Sequence, residues 1–330
     1  MNDPLVTVLM TVYNAGRYLD AAIASIAAQT FRDWEFVIVD DASTDGSPEV
    51  AEAWAKRDSR IRVIRNAVNK GQTPCLNQGL REARGRWIAR QDADDLSLPE
   101  RLERQLAAAD GFALLGTNGW IIDADDRVTG LLDAPLSRGS IEWTLPFLNP
   151  FMHTAVLART AVVRDELGGY DESFRIAQDY DLWARLIAQK HPSANLPDRL
   201  VCYRHLSTSL SKSGSNTAFA EARRVAEREA ARVFGRTLTP RERDLLAAFR
   251  EGLPAEKRAA FWALQRELLS VAPFTPDLRR TVALQHLKAA GAVGQPAAIL
   301  TEIAAAFAAA PATTLRWLVE RFTAGGRRFN

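Results

Sequence analysis

The chain has 330 residues, 47% of them apolar and 25% charged, with a net charge of +2. This is the balance of a folded globular protein long enough for two or three packed units, and it supplies no strong field toward nucleic acid. The two cysteines, Cys75 and Cys202, have no partner at metal-like spacing, so a disulfide framework is not expected and a reducing compartment is.

Met1–Pro4 lacks the basic and apolar regions of a signal peptide, and the apolar stretch 297–309 is interrupted by Glu302 and too short to cross a bilayer. A cytoplasmic protein is expected. In chain order, the β-branched run Leu5–Val12 reads as a buried strand, and Leu19, Ile23, Ile26 and Ala27 recur at helical spacing. Phe36–Val39 reads as a second strand, Glu49–Arg57 as a helix, Ile61–Ile64 as a third strand, Leu76–Ala83 as a helix and Trp87–Ala89 as a fourth strand. Alternating strands and helices predict a parallel α/β sheet, with ligands at the carboxyl ends of its strands. Polar clusters lie at three such ends: Thr11–Asn14, Asp40–Asp45 and Asp92–Asp95.

A helix is predicted after Pro99, started by a capping box of Ser97 and Glu100. Phe112–Gly116 and Trp120–Ile122 read as two strands, 133–153 as irregular, Ala155–Leu157 as a short strand and Asp179–Gln189 as a helix. Ser207–Asn216 reads as a loop. From Thr217 the composition shifts to Ala, Arg, Glu and Leu, punctuated by Pro240, Pro254, Pro273, Pro296 and Pro311, which predicts several short helices.

Asp92-Ala93-Asp94-Asp95 places three carboxylates in four residues directly after a buried strand. Like charges this close raise one another's pKa, and a bound Mn²⁺ or Mg²⁺ with hard oxygen ligands relieves the conflict. Acids at a helix start are the plainer reading. The same tetrapeptide recurs as Asp123-Ala124-Asp125-Asp126 between Ile121-Ile122 and Val128-Thr129, a strand–turn–strand context in which acids serve as turn residues. Position, not composition, therefore distinguishes the two copies.

Val6–Asn14 (VTVLMTVYN), Ser25–Phe31 (SIAAQTF), Val39–Ser47 (VDDASTDGS), Asp92–Asp95, Gly168–Phe174 (GGYDESF) and Asp179–Trp183 (DYDLW) together resemble the family 2 glycosyltransferases, over roughly residues 5–215. The resemblance implies a GT-A fold, a mostly parallel central sheet flanked by helices, with an α-helical C-terminal appendage. It implies a nucleotide-sugar-binding half at 1–115, an acceptor and catalytic-base half at 116–215, and a helical region at 216–330. Thr11, Tyr13, Asp41, Asp92 and Arg204 would bind the donor. Asp94, with Asp95 and His205, would hold Mn²⁺ or Mg²⁺, Asp95 being open between metal ligand and helix start. Asp179 would be the general base. His153 and Asp181 would face the acceptor, although a core histidine and a helix-start acid are the plainer readings of these two. The family often has an acid just before the base, where this chain has Gln178.

The activity implied is inverting transfer of one hexosyl or N-acetylhexosaminyl unit from a UDP-, GDP- or dTDP-sugar to a saccharide or lipid-linked acceptor in cell-surface polysaccharide synthesis. The metal would balance charge on the leaving diphosphate, and Asp179 would take the acceptor's proton. Trp183 reads as packing, Lys70 as solvated and Arg90 as a charge partner of the acids. Residues 316–322 with Arg327 and Arg328 combine apolar and basic character, which leaves peripheral contact with the inner membrane face beside plain packing. Competing readings are a nucleotidyltransferase and a binding protein with the same fold that has lost turnover. No G-x-G-x-x-G turn or P-loop supports a dehydrogenase or P-loop enzyme.

Overall fold

The computed structural model describes residues 3–206, 216–251, 253–269, 278–283 and 285. The chain divides into two compact units. The first contains the residues up to Leu132 together with Phe151–Glu221, and the second contains Asp133–Pro150 and the described residues from Ala222 onward.

The first unit opens with β1 (Val6–Val12), α1 (Leu19–Ala27), β2 (Trp34–Asp40), α2 (Ser47–Arg57), β3 (Ile61–Arg65), α3 (Gln72–Glu82) and β4 (Trp87–Arg90). The four strands are all parallel, in the order β3-β2-β1-β4. Every residue of β2 and β4 is buried. Strands covered on both faces need continuous apolar runs, and this is the pattern the sequence supplies. Met10, Phe36, Ile38, Ile23 and Ile26 lie together in the core.

Beyond β4 come β5 (Leu96–Ser97), α4 (Arg101–Ala107), β6 (Leu114–Ile122) and β7 (Val128–Leu132). The second unit then takes α5 (Arg138–Thr144), and the first resumes with β8 (Leu157–Arg159), α6 (Gln178–Ala188) and β9 (Ser193–Arg204). The nine-stranded sheet continues β4-β8-β6-β9-β5, with β7 on β6. Here it becomes mixed, because β8 runs antiparallel to β4 and β6 while β6 and β9 are parallel.

Several local expectations are corrected. The Ser97–Glu100 capping box does not form: Ser97 belongs to β5, its hydroxyl donates to Gln91 Oε1 at 2.6 Å, and α4 starts at Arg101 without a side-chain cap. Phe112–Gly116 and Trp120–Ile122 are not separate strands, since β6 runs through Thr117–Gly119. The stretch 133–153 contains α5, and the strand expected at Ala155–Leu157 lies at Leu157–Arg159. The longest strand, β9, was hidden because Pro197 and Asp198 interrupt its pattern. Its register shifts there, between Thr117 and Asn118 of β6, so the proline, which cannot donate to a ladder, sits at an irregularity.

In the second unit α5, α7 (Asn216–Phe234, from Ala222), α8 (Pro240–Glu251) and α9 (Ala255–Leu269) enclose an aromatic core. Phe249 and Phe261 stack at 4.6 Å, and Phe147 packs edge-on to Phe261 at 6.0 Å. Thr239 and Glu242 exchange hydrogen bonds at the start of α8, with Pro240 at the first helical position. Of the expected loop Ser207–Asn216, Asn216 instead opens α7 and the rest lies outside the described residues, as does the basic apolar segment beyond residue 315. No helix among the described residues is long and apolar enough to cross a membrane.

Candidate active site

Parallel pairing brings the carboxyl ends of β1, β2 and β4 to one edge, with Val12 beside Asp40 and Leu9 beside Arg90. The loops leaving that edge are tied to each other. Ser43 Oγ accepts from Asn14 N at 3.0 Å, Ser47 Oγ from Ala15 N at 3.1 Å and Asp45 from Gly16 N at 2.9 Å. The Asp40–Ser47 run is therefore also the brace of the β1 loop. Tyr13 is left 56% exposed at this edge, while Thr11 is part-buried.

Asp41 is buried. Its carboxylate accepts from Lys70 N at 2.9 Å, Gly71 N at 2.8 Å and Asn66 Nδ2 at 3.1 Å. Burial pushes its pKa up, but these bonds and the nearby Cys75 thiol outweigh that and leave it lowered. Asp41 thus shapes the 66–71 loop from inside. Lys70 Nζ reaches Asn66 Oδ1 at 3.1 Å. Cys75 is buried and free, with its thiol pushed up to about 12 by burial and then by Asp41.

Asp92–Asp95 follows β4 and is framed by two buried arginines. Arg90 bonds Asp92 at 2.7 Å and also donates to the carbonyls of Leu9 and Gln91, so it is the charge partner expected. Arg101 donates to Ser97 Oγ at 2.9 Å and to the carbonyls of Arg90 and Val156 at 2.9 and 3.1 Å, locking the strand end beneath the acids. Burial, and then the Asp92 charge, push Asp94 up to about 6. Asp95 is enclosed and accepts Arg204 N at 2.7 Å; burial, and then the Asp94 and Asp92 charges, raise its pKa.

Arg204, at the end of β9, joins the two identical tetrapeptides. Its Nε donates to Asp94 O at 2.7 Å, its Nη1 to Asp123 O at 2.8 Å, and its Nη2 pairs with Asp126 at 2.6 Å. The guanidinium also lies over the Tyr18 ring at 4.5 Å. His205 follows, exposed, with its N–H on Ile122 O at 2.8 Å. The second tetrapeptide is a turn, as expected: Asp123 Oδ1 accepts from Asp125 N at 2.8 Å and Arg127 N at 3.0 Å. It is also wired to the first copy through Arg204, a contact with no signature in the sequence.

Asp179 lies part-buried in the first turn of α6. Asp181, one of the two acceptor-side candidates, is buried and pairs with Arg185 at 2.7 Å, whose other nitrogens hold the carbonyls of Leu167 and Gly169. The other, His153, is part-buried, with Nε2 at 2.9 Å from the Tyr170 hydroxyl. Burial, then the Arg90 charge, lower the His153 pKa. Trp183 is buried against both rings, which is packing as expected. Burial raises the phenol of Tyr170; the nearby Arg90 charge opposes this, and Asp179 and Asp92 add to it less.

The segment before α6 is stitched to α3. Asn77 brackets Tyr170, donating to its carbonyl and accepting its N–H, each at 2.9 Å. Gly169 needs to be glycine here, because its φ is +81° and a Cβ would meet Asn77 Oδ1 at 2.6 Å. Gln178 is buried and donates to Gln72 Oε1 at 3.0 Å.

An α/β sheet of this topology, flanked by helices and with acids at its parallel strand ends, is the GT-A glycosyltransferase fold. Residues 7–143 match Glycosyl transferase family 2. The chain is 35% identical over 211 residues to the putative glycosyltransferase EpsE of Bacillus subtilis, covering 60% of this chain and 72% of that protein. It is 32% identical over 200 residues to the amylovoran biosynthesis glycosyltransferase AmsE of Erwinia amylovora, covering 59% and 74%. Its fold is similar to that of S. aureus TarS 1-349 in complex with UDP-GlcNAc, with a TM-score of 0.58, 18% identity, and coverage of 100% of this chain and 94% of that one. The chain belongs to glycosyl transferase family 2 and is a glycosyltransferase.

Proposed function

We propose that the protein transfers one sugar, with inversion, from a nucleotide diphosphate sugar to an acceptor hydroxyl, in the synthesis of a surface polysaccharide. What supports this most is that β2 and β4, the parallel neighbours of β1, lead at one edge into Asp41 and Asp92–Asp95, in a chain of glycosyl transferase family 2. Ligands of parallel α/β sheets bind at such an edge. A relative named for amylovoran biosynthesis, AmsE, and one named for teichuronic acid biosynthesis, TuaG of Bacillus subtilis, support the product class.

In this reading Asp179 accepts the acceptor's proton as the new bond forms. Thr11, Tyr13, Asp41 and Asp92 line the donor side, with Asp41 acting through the loop it holds. Among the described residues no three His, Cys, Asp or Glu side chains are grouped to enclose an ion. The crowding that raises Asp94 and Asp95 nevertheless fits a single hard cation that takes few protein oxygens and is completed by substrate phosphate. Asp94 would hold it, His205 lies beside it in sequence to Arg204, and Asp95 supports the loop. When bound, Mn²⁺ or Mg²⁺ would offset charge on the leaving diphosphate. The division into donor half (1–115), acceptor half (116–215) and helical region (216–330) belongs to the same proposal, as does action at the inner membrane face.

Thermal unfolding in the presence of UDP-GlcNAc, UDP-glucose or GDP-mannose, each with and without Mn²⁺, tests the donor assignment. Stabilisation by one nucleotide sugar that requires Mn²⁺ is expected. Asp179→Asn should keep that stabilisation while losing transfer, and unchanged transfer would remove Asp179 as the base.

A further inference from the structure

We propose that Glu221, on α7, is a positioning residue for Asp179. This rests on the reading of Asp179 as the general base. Three successive backbone N–H groups converge on the Glu221 carboxylate: Arg175 N on Oε1, and Ile176 N and Ala177 N on Oε2, each at 2.9 Å. Such a run of amides is an anion-binding nest, and here a buried side chain of the same chain fills it.

The nest lies directly before α6. Ala177 is the residue that should cap this helix, and its side chain makes no cap hydrogen bond. In a capping box the reciprocal bond to the cap residue's N–H comes from an acid three residues into the same helix. In this protein it comes from Glu221, 44 residues along the chain from Ala177. The opposite side of the segment is held by α3, where Thr73 Oγ1 donates to Phe174 O at 2.6 Å and Asn77 brackets Tyr170. Residues 170–178 are thus clamped between α3 and Glu221, and Asp179 is the next residue.

The consequence for chemistry follows from helix geometry. Each residue turns the side-chain direction by about 100°, so a small slip in where α6 begins swings Asp179 away from an acceptor hydroxyl. A misplacement of about 1 Å costs roughly a hundredfold in rate. A carboxylate that receives three N–H bonds fixes the start of the helix without contacting substrate.

The test compares Glu221→Gln, Glu221→Ala, Asp179→Asn and the Glu221→Gln/Asp179→Asn double variant of the full chain. Release of nucleoside diphosphate from whichever of UDP-GlcNAc, UDP-glucose and GDP-mannose stabilises the protein is the kinetic readout, and amide hydrogen exchange at 175–177 the structural one. Glu221→Gln should lower kcat about tenfold to a hundredfold with donor KM within about twofold. It should also raise exchange at 175–177, and formate should restore part of the turnover of Glu221→Ala. In the Asp179→Asn background the Glu221 substitution should have little further effect on residual turnover, because it acts through Asp179. Unchanged exchange in Glu221→Gln, unchanged kcat, or an equal fall in both backgrounds would overturn the proposal. Full turnover in Asp179→Asn alone would instead reject the base assignment on which it rests.

Discussion

Asp92–Asp95 and Asp123–Asp126 share one tetrapeptide and differ in most of what surrounds it. The first copy follows a buried parallel strand and has Arg90 beneath it and Arg101 behind it, so its carboxylates are crowded and partly desolvated. The second turns from β6 to β7 with only Asp125 of its four residues exposed; Asp123 accepts its own turn's amides and Asp125 pairs loosely with Arg17 at 3.7 Å and Arg127 at 3.3 Å. A short motif gains chemistry from burial and neighbouring charge, because only a low-dielectric setting makes like charges costly enough to favour a cation. The comparison also corrects a simple opposition between site and decoy. Arg204 bridges Asp94 O to Asp123 O and Asp126, so the hairpin copy helps hold the strand-end one.

The sharpest break is between the third residues. Asp94→Asn should abolish Mn²⁺-dependent stabilisation by the donor and lower kcat by about a hundredfold to a thousandfold, the scale of a lost transition-state charge contact. Asp125→Asn should leave both within about twofold, as for surface substitutions. Equal effects at the two positions would mean that strand-end position does not distinguish the copies. Arg204→Ala comes next. It removes three polar contacts and the packing on the Tyr18 ring of a side chain only 2% exposed, and should lower stability by roughly 2–3 kcal/mol, some degrees in thermal midpoint. Donor KM should rise with it, since the Asp94 carbonyl loses its partner. Arg204→Lys should recover little, because an ammonium cannot span two carbonyls and a carboxylate in the fork geometry.

How much of this was legible depends on the range of the interaction. The strands β1, β2 and β4 declared themselves by continuous apolar runs, and the acidic clusters at their ends followed from the parallel arrangement. The turn at Asp123 was equally readable, since it depends on neighbours in sequence. Arg204 was expected among the donor-binding residues, but its bond to Asp126 spans residues far apart and leaves no local pattern. Glu221 sits in an Ala- and Arg-rich helical stretch where one more glutamate reads as a solvated face, although it fills a nest 44–46 residues earlier. The Ser97–Glu100 pattern misled because β9 claimed Ser97 for the sheet, a tertiary contact overriding a local signal.

The smaller predictions separate side chain from backbone within the second copy. Asp126→Asn removes the ion pair of the hairpin with Arg204 and should lower stability by about 1 kcal/mol, because Asp126 is 44% exposed and the two carbonyl bonds remain. Its donor KM should rise less than that of Arg204→Ala. Asp123→Asn should do least. The amide oxygen of asparagine can still accept from Asp125 N and Arg127 N, and asparagine forms the same kind of turn. What Arg204 takes from Asp123 is the backbone carbonyl, which the substitution leaves in place. Asp123→Ala, in contrast, loses the acceptor that sets the turn, and with it the placement of that carbonyl. A thermal midpoint for Asp123→Ala below that of Asp123→Asn, with donor KM shifting in the same order, would show that the hairpin copy acts on the site through the shape of its turn. Equal behaviour of the two variants would reduce its role to the Asp126 charge alone.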